Sequence, residues 1–172
     1  MSIMWFKKNL LLFIFMVVVK SIFAQVNSGS YNLMLKTMIK ESVPTITVAE
    51  LSKKDLSKMV LLDSREKKEY EVSHLKNAKW VGYDDFKLSR VNDVPKDASI
   101  VIYCSVGVRS EKIGEKLIAA GYTNVKNLYG SIFEWVNEGN AVYNMNGKAT
   151  NRVHAYSKTW GIWLKKGVKV YN

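Results

Sequence analysis

Residues 99–121 read SIVIYCSVGVRSEKIGEKLIAAG, and they set the architecture. Ser99-Ile100-Val101-Ile102-Tyr103 is an apolar run without alternation, the pattern of a strand buried on both faces of a parallel sheet. Ser110 to Ala120 is amphipathic: Ile113, Leu117 and Ala120 fall on one helical face at i, i+4, i+7. Ser110 is the predicted N-cap, Glu111 suits the positive helix end, and Gly121 is the predicted C-terminal stop. Between strand and helix lies Cys104-Ser105-Val106-Gly107-Val108-Arg109. That loop sits at the carboxyl edge of a central strand, where open α/β sheets bind ligands.

The same signals recur outward. Thr45–Val48, Met59–Leu62 and Asn124–Leu128 are further strand candidates, and Ser131–Asn137 is a last helix. Strand, crossover helix, strand predicts an α/β fold with a small central parallel sheet and helices on both faces. Upstream, residues 25–43 predict a polar linker and then an amphipathic helix bearing Leu33, Met34, Leu35, Met38 and Ile39.

Residues 1–24, MSIMWFKKNLLLFIFMVVVKSIFA, carry a basic start, a ten-residue apolar run from Leu10 to Val19, and Ala24 at a small-residue cleavage point. This is the three-part pattern of a secretory signal. The expectation is export, to the periplasm in a Gram-negative host, with no stable membrane span after cleavage. An uncleaved anchor reaching across Lys20 is the alternative, since a span needs about 20 apolar residues.

Composition excludes several classes. The 172 residues are 48% apolar and 24% charged, which suits one globular domain. Cys104 is the single cysteine, so no internal disulfide framework exists, and with only His74 and His154 beside it no zinc finger does either. No metal or organic cofactor is implied. The net charge of +11 invites a nucleic-acid reading. Its distribution weakens it, because residues 25–140 hold 17 basic and 15 acidic groups. The excess lies in the tail, 143–172, which has six basic residues and no acid, interleaved with Tyr143, Tyr156, Trp160, Trp163 and Tyr171. Packing of these aromatics on the core is the preferred reading, because aromatic burial is the larger energy. An anionic surface or a protein partner held by the extension is the alternative; no nucleic-acid partner is expected.

Chemistry centres on Cys104. Gly107 lets the backbone turn so that successive N–H groups converge, the helix end adds partial positive charge, and Arg109 adds a full one. Such surroundings lower a cysteine pKa and expose a thiolate nucleophile. A buried, inert cysteine capping the strand is the bland alternative.

The segment CSVGVRS resembles the active-site loop of rhodanese-like domains. Leu62-Asp63-Ser64-Arg65-Glu66 with Tyr70, His74, Leu75 and Ala78 resembles the family's second block. Leu128-Tyr129-Gly130-Ser131-Ile132 with Trp135 and Gly139 resembles its closing block. The resemblance spans 44–142. It implies a sulfurtransferase: Cys104 takes sulfane sulfur from a small anionic donor such as thiosulfate, and a thiol or other thiophilic acceptor removes it. Ser105, Val106, Gly107, Val108 and Arg109 would bind the donor. Asp63 and Arg65 would form an ion pair or loop hydrogen bonds near the site. His74 would fix a turn rather than serve as a base for Cys104. The six-residue span from Cys104 to Arg109 resembles the sulfur-transfer loop rather than the longer loop of related cysteine phosphatases. Ser73, Asn77 and Ser131 stand where the family has glycines, and Ser105 where members often carry arginine. A non-catalytic binding, sulfur-carrier or redox-sensing module is the alternative function.

Overall fold

The computed structural model describes residues 29–171. The export signal expected over 1–24 lies outside them. Among the described residues no helix is long and apolar enough to cross a membrane. Contacts divide the chain into two units, Met1–Thr37 and Met38–Asn172. The described part of the first is 29–37, which lies in helix α1 (29–38). Its buried positions are Tyr31 and Leu35, four apart, whereas Leu33 is 65% exposed. The predicted stripe therefore included one residue from the wrong face and missed Tyr31.

The second unit is built on a five-stranded parallel sheet. Its strands are β1 (Thr45–Ile46), β2 (Val60–Asp63), β3 (Lys79–Trp80), β4 (Ile100–Tyr103) and β5 (Val125–Leu128), in spatial order β1-β5-β4-β2-β3. β4 is central and buried at every position, as its unbroken apolar run requires. It aligns Leu61 with Val101 and Leu62 with Ile102 on one side, and Ile100 with Val125 on the other. Leu62, Ile100 and Ile102 form a core with Val43, Ile113 and Leu117. Leu61, Val101 and Tyr103, of opposite parity, are buried too, so both faces of the sheet are covered. The edge strand β3 escapes sequence reading because two residues, one of them lysine, give no apolar run.

Helices α2 (Val48–Leu51), α3 (Lys67–Val72), α4 (Val108–Ala119) and α5 (Ser131–Asn137) connect the strands or follow them. α4 begins earlier than the sequence suggested. Gly107 is its N-cap, at φ +121°, and Ser110 lies inside the first turn. A φ in that region suits glycine and strains other residues, so the turn that places the loop also fixes the helix start. The Ser110 hydroxyl, freed from capping, donates to Asn127 Oδ1 at 2.7 Å within reach of the Gly107 carbonyl at 3.1 Å. The Glu111 carboxylate is buried and accepts the N–H groups of Lys40 and Ser42, each at 3.0 Å.

The tail folds onto the same unit. It forms the hairpin β6 (Val142–Tyr143) with β7 (Ala149–Thr150), and the parallel pair β8 (Arg152–His154) with β9 (Val168–Val170), joined through α6 (Lys158–Gly161). A two-way backbone bridge, His74 N–H to Tyr143 O at 2.9 Å and Tyr143 N–H to His74 O at 2.8 Å, ties it to the turn after α3. Packing is the observed role, but other residues supply it. Val153, Ala155 and Leu164 are fully buried, while Trp160 and Trp163 are half-buried and Tyr156 and Tyr171 are exposed.

Candidate active site

Cys104 is the first residue after β4, at the carboxyl edge of the sheet. The chain turns there through Ser105 to Gly107 and enters α4. Two neighbouring elements lock the turn. The first free N–H groups of α5 are answered by loop carbonyls: Ile132 N–H to Cys104 O at 3.2 Å and Phe133 N–H to Ser105 O at 3.1 Å. A helix start leaves such donors unsatisfied, so α5 and the loop complete each other. The Cys104 N–H is taken by the Ser131 hydroxyl at 3.0 Å. Ser131 holds φ +52°, the left-handed region that the family's glycine would occupy freely. Here serine tolerates that conformation and its hydroxyl ties down the cysteine.

Cys104 is only 1% exposed, so the exposed thiolate anticipated from sequence is instead recessed. It lines a cavity of about 130 Å³ together with Ser105, Val106, Val108 and Arg109. Three residues from outside the loop complete that lining: Met38, Tyr156 and Trp160. The Gly107 N–H points at the Cys104 Sγ from 3.2 Å. Burial pushes the thiol pKa up. The Arg109 charge and the N–H groups of Ser110 and Gly107 outweigh it, and the net shift is downward. The Ser110 hydroxyl adds little, since its proton is engaged by Asn127 and Gly107.

Arg109 does not stand free as the loop cation. Its Nη1 and Nη2 grip the buried Glu69 carboxylate at 2.7 and 2.8 Å, and Nη2 also donates to Ser105 Oγ at 3.0 Å. Ser105 in turn donates to Glu69 Oε1 at 3.0 Å. Such bidentate pairs are strong and geometrically specific. Burial raises the Glu69 pKa, but the Arg109 hydrogen bonds and charge pull it below its ordinary value. The Arg109 guanidinium lies over the Tyr156 ring, 4.9 Å from its centroid, within cation–π range.

The other singled-out residues stand apart from the cavity. Asp63 and Arg65, both fully buried, pair through Nη2–Oδ2 at 2.6 Å and Nε–Oδ1 at 3.0 Å. Arg65 also donates to Ser73 O at 2.6 Å and its carbonyl accepts Trp80 Nε1–H at 2.8 Å. Because Asp63 lies beside Tyr103 in register, this pair braces the strand end from which Cys104 emerges. His74 stacks on Tyr70, with ring centroids 4.1 Å apart, and its Nδ1 lies 3.1 Å from Tyr70 O. Its ring is held by Tyr70 of α3. Asn77, another glycine replacement, sits at φ +59°. No group of three or more metal-ligating side chains occurs among the described residues.

Sequence reading missed Glu69, Met38, Tyr156 and Trp160 as site residues. Glu69 sits inside the quoted second block, two positions from the start of α3, and was legible there. Tyr156 and Trp160 carried no local signal, being some fifty residues from Cys104.

The family model for the rhodanese-like domain matches residues 47–138, just over half of the chain. The chain belongs to that family. Among curated proteins it is 34% identical over 87 residues to a tRNA uridine(34) hydroxylase of Pectobacterium carotovorum, covering 48% of this chain and 24% of that protein. It is 32% identical over 85 residues to an adenylyltransferase and sulfurtransferase of Candida albicans, covering 45% and 19%. The match thus spans about a quarter or less of these relatives' length. Among solved structures, the rhodanese-like domain of an Anabaena protein superposes with a TM-score of 0.55 at 20% identity, covering 59% of this chain and 80% of that one. A thiosulfate sulfurtransferase of Pseudomonas aeruginosa gives 0.55 at 19% identity, covering 80% and 26%. These likenesses establish the fold.

Proposed function

We propose that this chain is a sulfurtransferase working through a persulfide on Cys104. The observation that carries the reading is the Gly107 N–H aimed at the Cys104 Sγ from 3.2 Å, at the base of a cavity and at the positive end of α4. The thiolate attacks the outer sulfur of the donor. A bond forms from Sγ to that sulfur, the donor's S–S bond breaks, and its electron pair leaves with the remaining fragment. With thiosulfate the leaving group is sulfite. A thiol or cyanide then attacks the outer sulfur and returns Cys104 as thiolate. This is a two-step covalent scheme. The loop N–H groups and helix end stabilise the persulfide anion as they stabilise the thiolate. Family membership and a sulfurtransferase among the relatives support the same reading.

The test uses the purified protein with thiosulfate and cyanide, following thiocyanate and intact mass. Turnover and a gain of one sulfur atom, both abolished in Cys104→Ser, are expected. One observation favours a second reading, a sulfur carrier or redox sensor: Arg109 is neutralised by Glu69, so the loop offers no unpaired cation to a dianion. A stable persulfide without turnover would identify that carrier. Export remains part of the proposal, resting on residues 1–24; amino-terminal sequencing of the protein from its host should begin at Gln25.

A further inference from the structure

The cavity over Cys104 has a chemical character of its own. Met38, Val106, Val108, Tyr156 and Trp160 give it apolar or aromatic walls. The two polar loop side chains besides the cysteine, Ser105 and Arg109, are already engaged. The single Ser105 hydroxyl proton goes to Glu69 Oε1. Both Nη2 protons of Arg109 and one on Nη1 go to Glu69 and Ser105. The Glu69 carboxylate offsets part of the guanidinium charge at contact distance. Among the described residues lining the cavity, Arg109 is the sole cation and it is paired with Glu69, so a doubly charged donor meets only the loop N–H groups and the helix end.

Tyr156 sharpens the point. It holds φ +63°, a conformation that bulky side chains rarely adopt and that costs energy. The surrounding chain enforces it: the Tyr156 N–H donates to His154 Nδ1 at 3.1 Å, and His154 is buried at the end of β8. Strain held in place by its neighbours concentrates at functional sites. What it achieves here is to set a half-exposed aromatic ring over Arg109 at the cavity rim, beside Trp160.

We propose that the tail residues Tyr156 and Trp160 make this cavity a site for sulfur donors with an apolar or aromatic body and at most one negative charge, in preference to inorganic dianions. The inference rests on the sulfurtransferase reading and adds its substrate class. The chemistry is the same as above. For a thiosulfonate, R–SO₂–S⁻, the Cys104 thiolate takes the outer sulfur, the S–S bond breaks, and the sulfinate R–SO₂⁻ leaves with the electron pair. For an organic persulfide, R–S–SH, the thiolate R–S⁻ leaves. No oxidant or reductant is needed in either case.

The experiment compares benzenethiosulfonate, methanethiosulfonate and thiosulfate as donors, with cyanide as acceptor. Each rate is divided by that of a small free thiol, which removes intrinsic reactivity. The first two share a charge and a leaving-group type and differ in the apolar body. Apolar pockets distinguish groups differing by a methylene by about tenfold or more, so kcat/KM should favour the phenyl donor over the methyl donor by at least about tenfold, with thiosulfate below both. In Trp160→Ala, checked by melting temperature, the phenyl-to-methyl ratio should fall toward one. Thiosulfate equal to or better than benzenethiosulfonate, with a persulfide formed, would overturn this donor class and leave sulfur transfer standing. A phenyl preference unchanged in Trp160→Ala would overturn the role of the tail. No sulfur gained from any of the three would overturn both readings.

Discussion

Ser131 and Cys104 form a pair in which one residue's strain serves the other's geometry. The Ser131 hydroxyl accepts the Cys104 N–H and donates to Leu128 O at 3.1 Å. Ser131→Ala keeps the left-handed backbone and leaves the buried Cys104 N–H unanswered, which costs about 1–3 kcal/mol. A melting point lower by about 2–10 °C is expected. Ser131→Gly loses the same bond but relaxes the φ, so its loss should be the smaller of the two; thermal denaturation of both variants checks the order. Cys104 itself should titrate below an ordinary thiol, followed by ultraviolet thiolate absorbance. Its pKa is lowered mainly by the Arg109 charge against the cost of burial. The neutral double variant Glu69→Gln with Arg109→Gln removes that charge without stranding a buried carboxylate. Its titration midpoint should move upward.

At the scale of elements, the loop owes its shape to three helices rather than to its own six residues. α4 starts at the Gly107 turn, α5 sends its free N–H groups to the loop carbonyls, and α3 contributes Glu69. The Glu69–Arg109 pair has a pH signature. Glu69 has a folded pKa below its unfolded value of about 4.3. Its contribution is therefore fully present above the unfolded value and is lost as pH falls through the lower, folded one. Glu69→Gln should be less stable than the parent at neutral pH, because Arg109 is left without its counter-charge. The gap in melting temperature should narrow as pH drops below about 4. A gap that stays constant down to the acid limit would mean the carboxylate charge contributes nothing.

Across the whole unit, the tail packs on the core and also lines the cavity over Cys104. Val153 in β8 and Leu164 after α6 are fully buried, and the same segment holds Tyr156 and Trp160 at the cavity. Leu164→Ala should cost about 2–5 kcal/mol, a large part of a typical stability of about 5–15 kcal/mol. Beyond that, it should reduce donor discrimination, since the rim residues ride on the packing below them. Melting temperature and the phenyl-to-methyl donor ratio, measured on one sample, check both effects together. A variant that melts lower but discriminates as before would separate the two roles.

The parallel sheet, the position of Cys104 and the loop around it were legible in the chain because each is a local pattern. A short unbroken apolar run rich in β-branched residues reads as a strand covered on both faces. A cysteine between that run and an amphipathic helix can only lie at the sheet's carboxyl edge. The order of the three blocks around Leu62, Cys104 and Leu128 carried the family. What proximity in sequence does not encode came from folding. Cys104 is recessed in a cavity that Met38, Tyr156 and Trp160 help to line, and Arg109 is paired with Glu69, 40 residues upstream. The cavity walls come from a tail whose basic, aromatic composition fitted both packing and binding. A side chain's charge and polarity are properties of its residue, but whether they face a substrate or a partner within the chain depends on what the fold sets beside them.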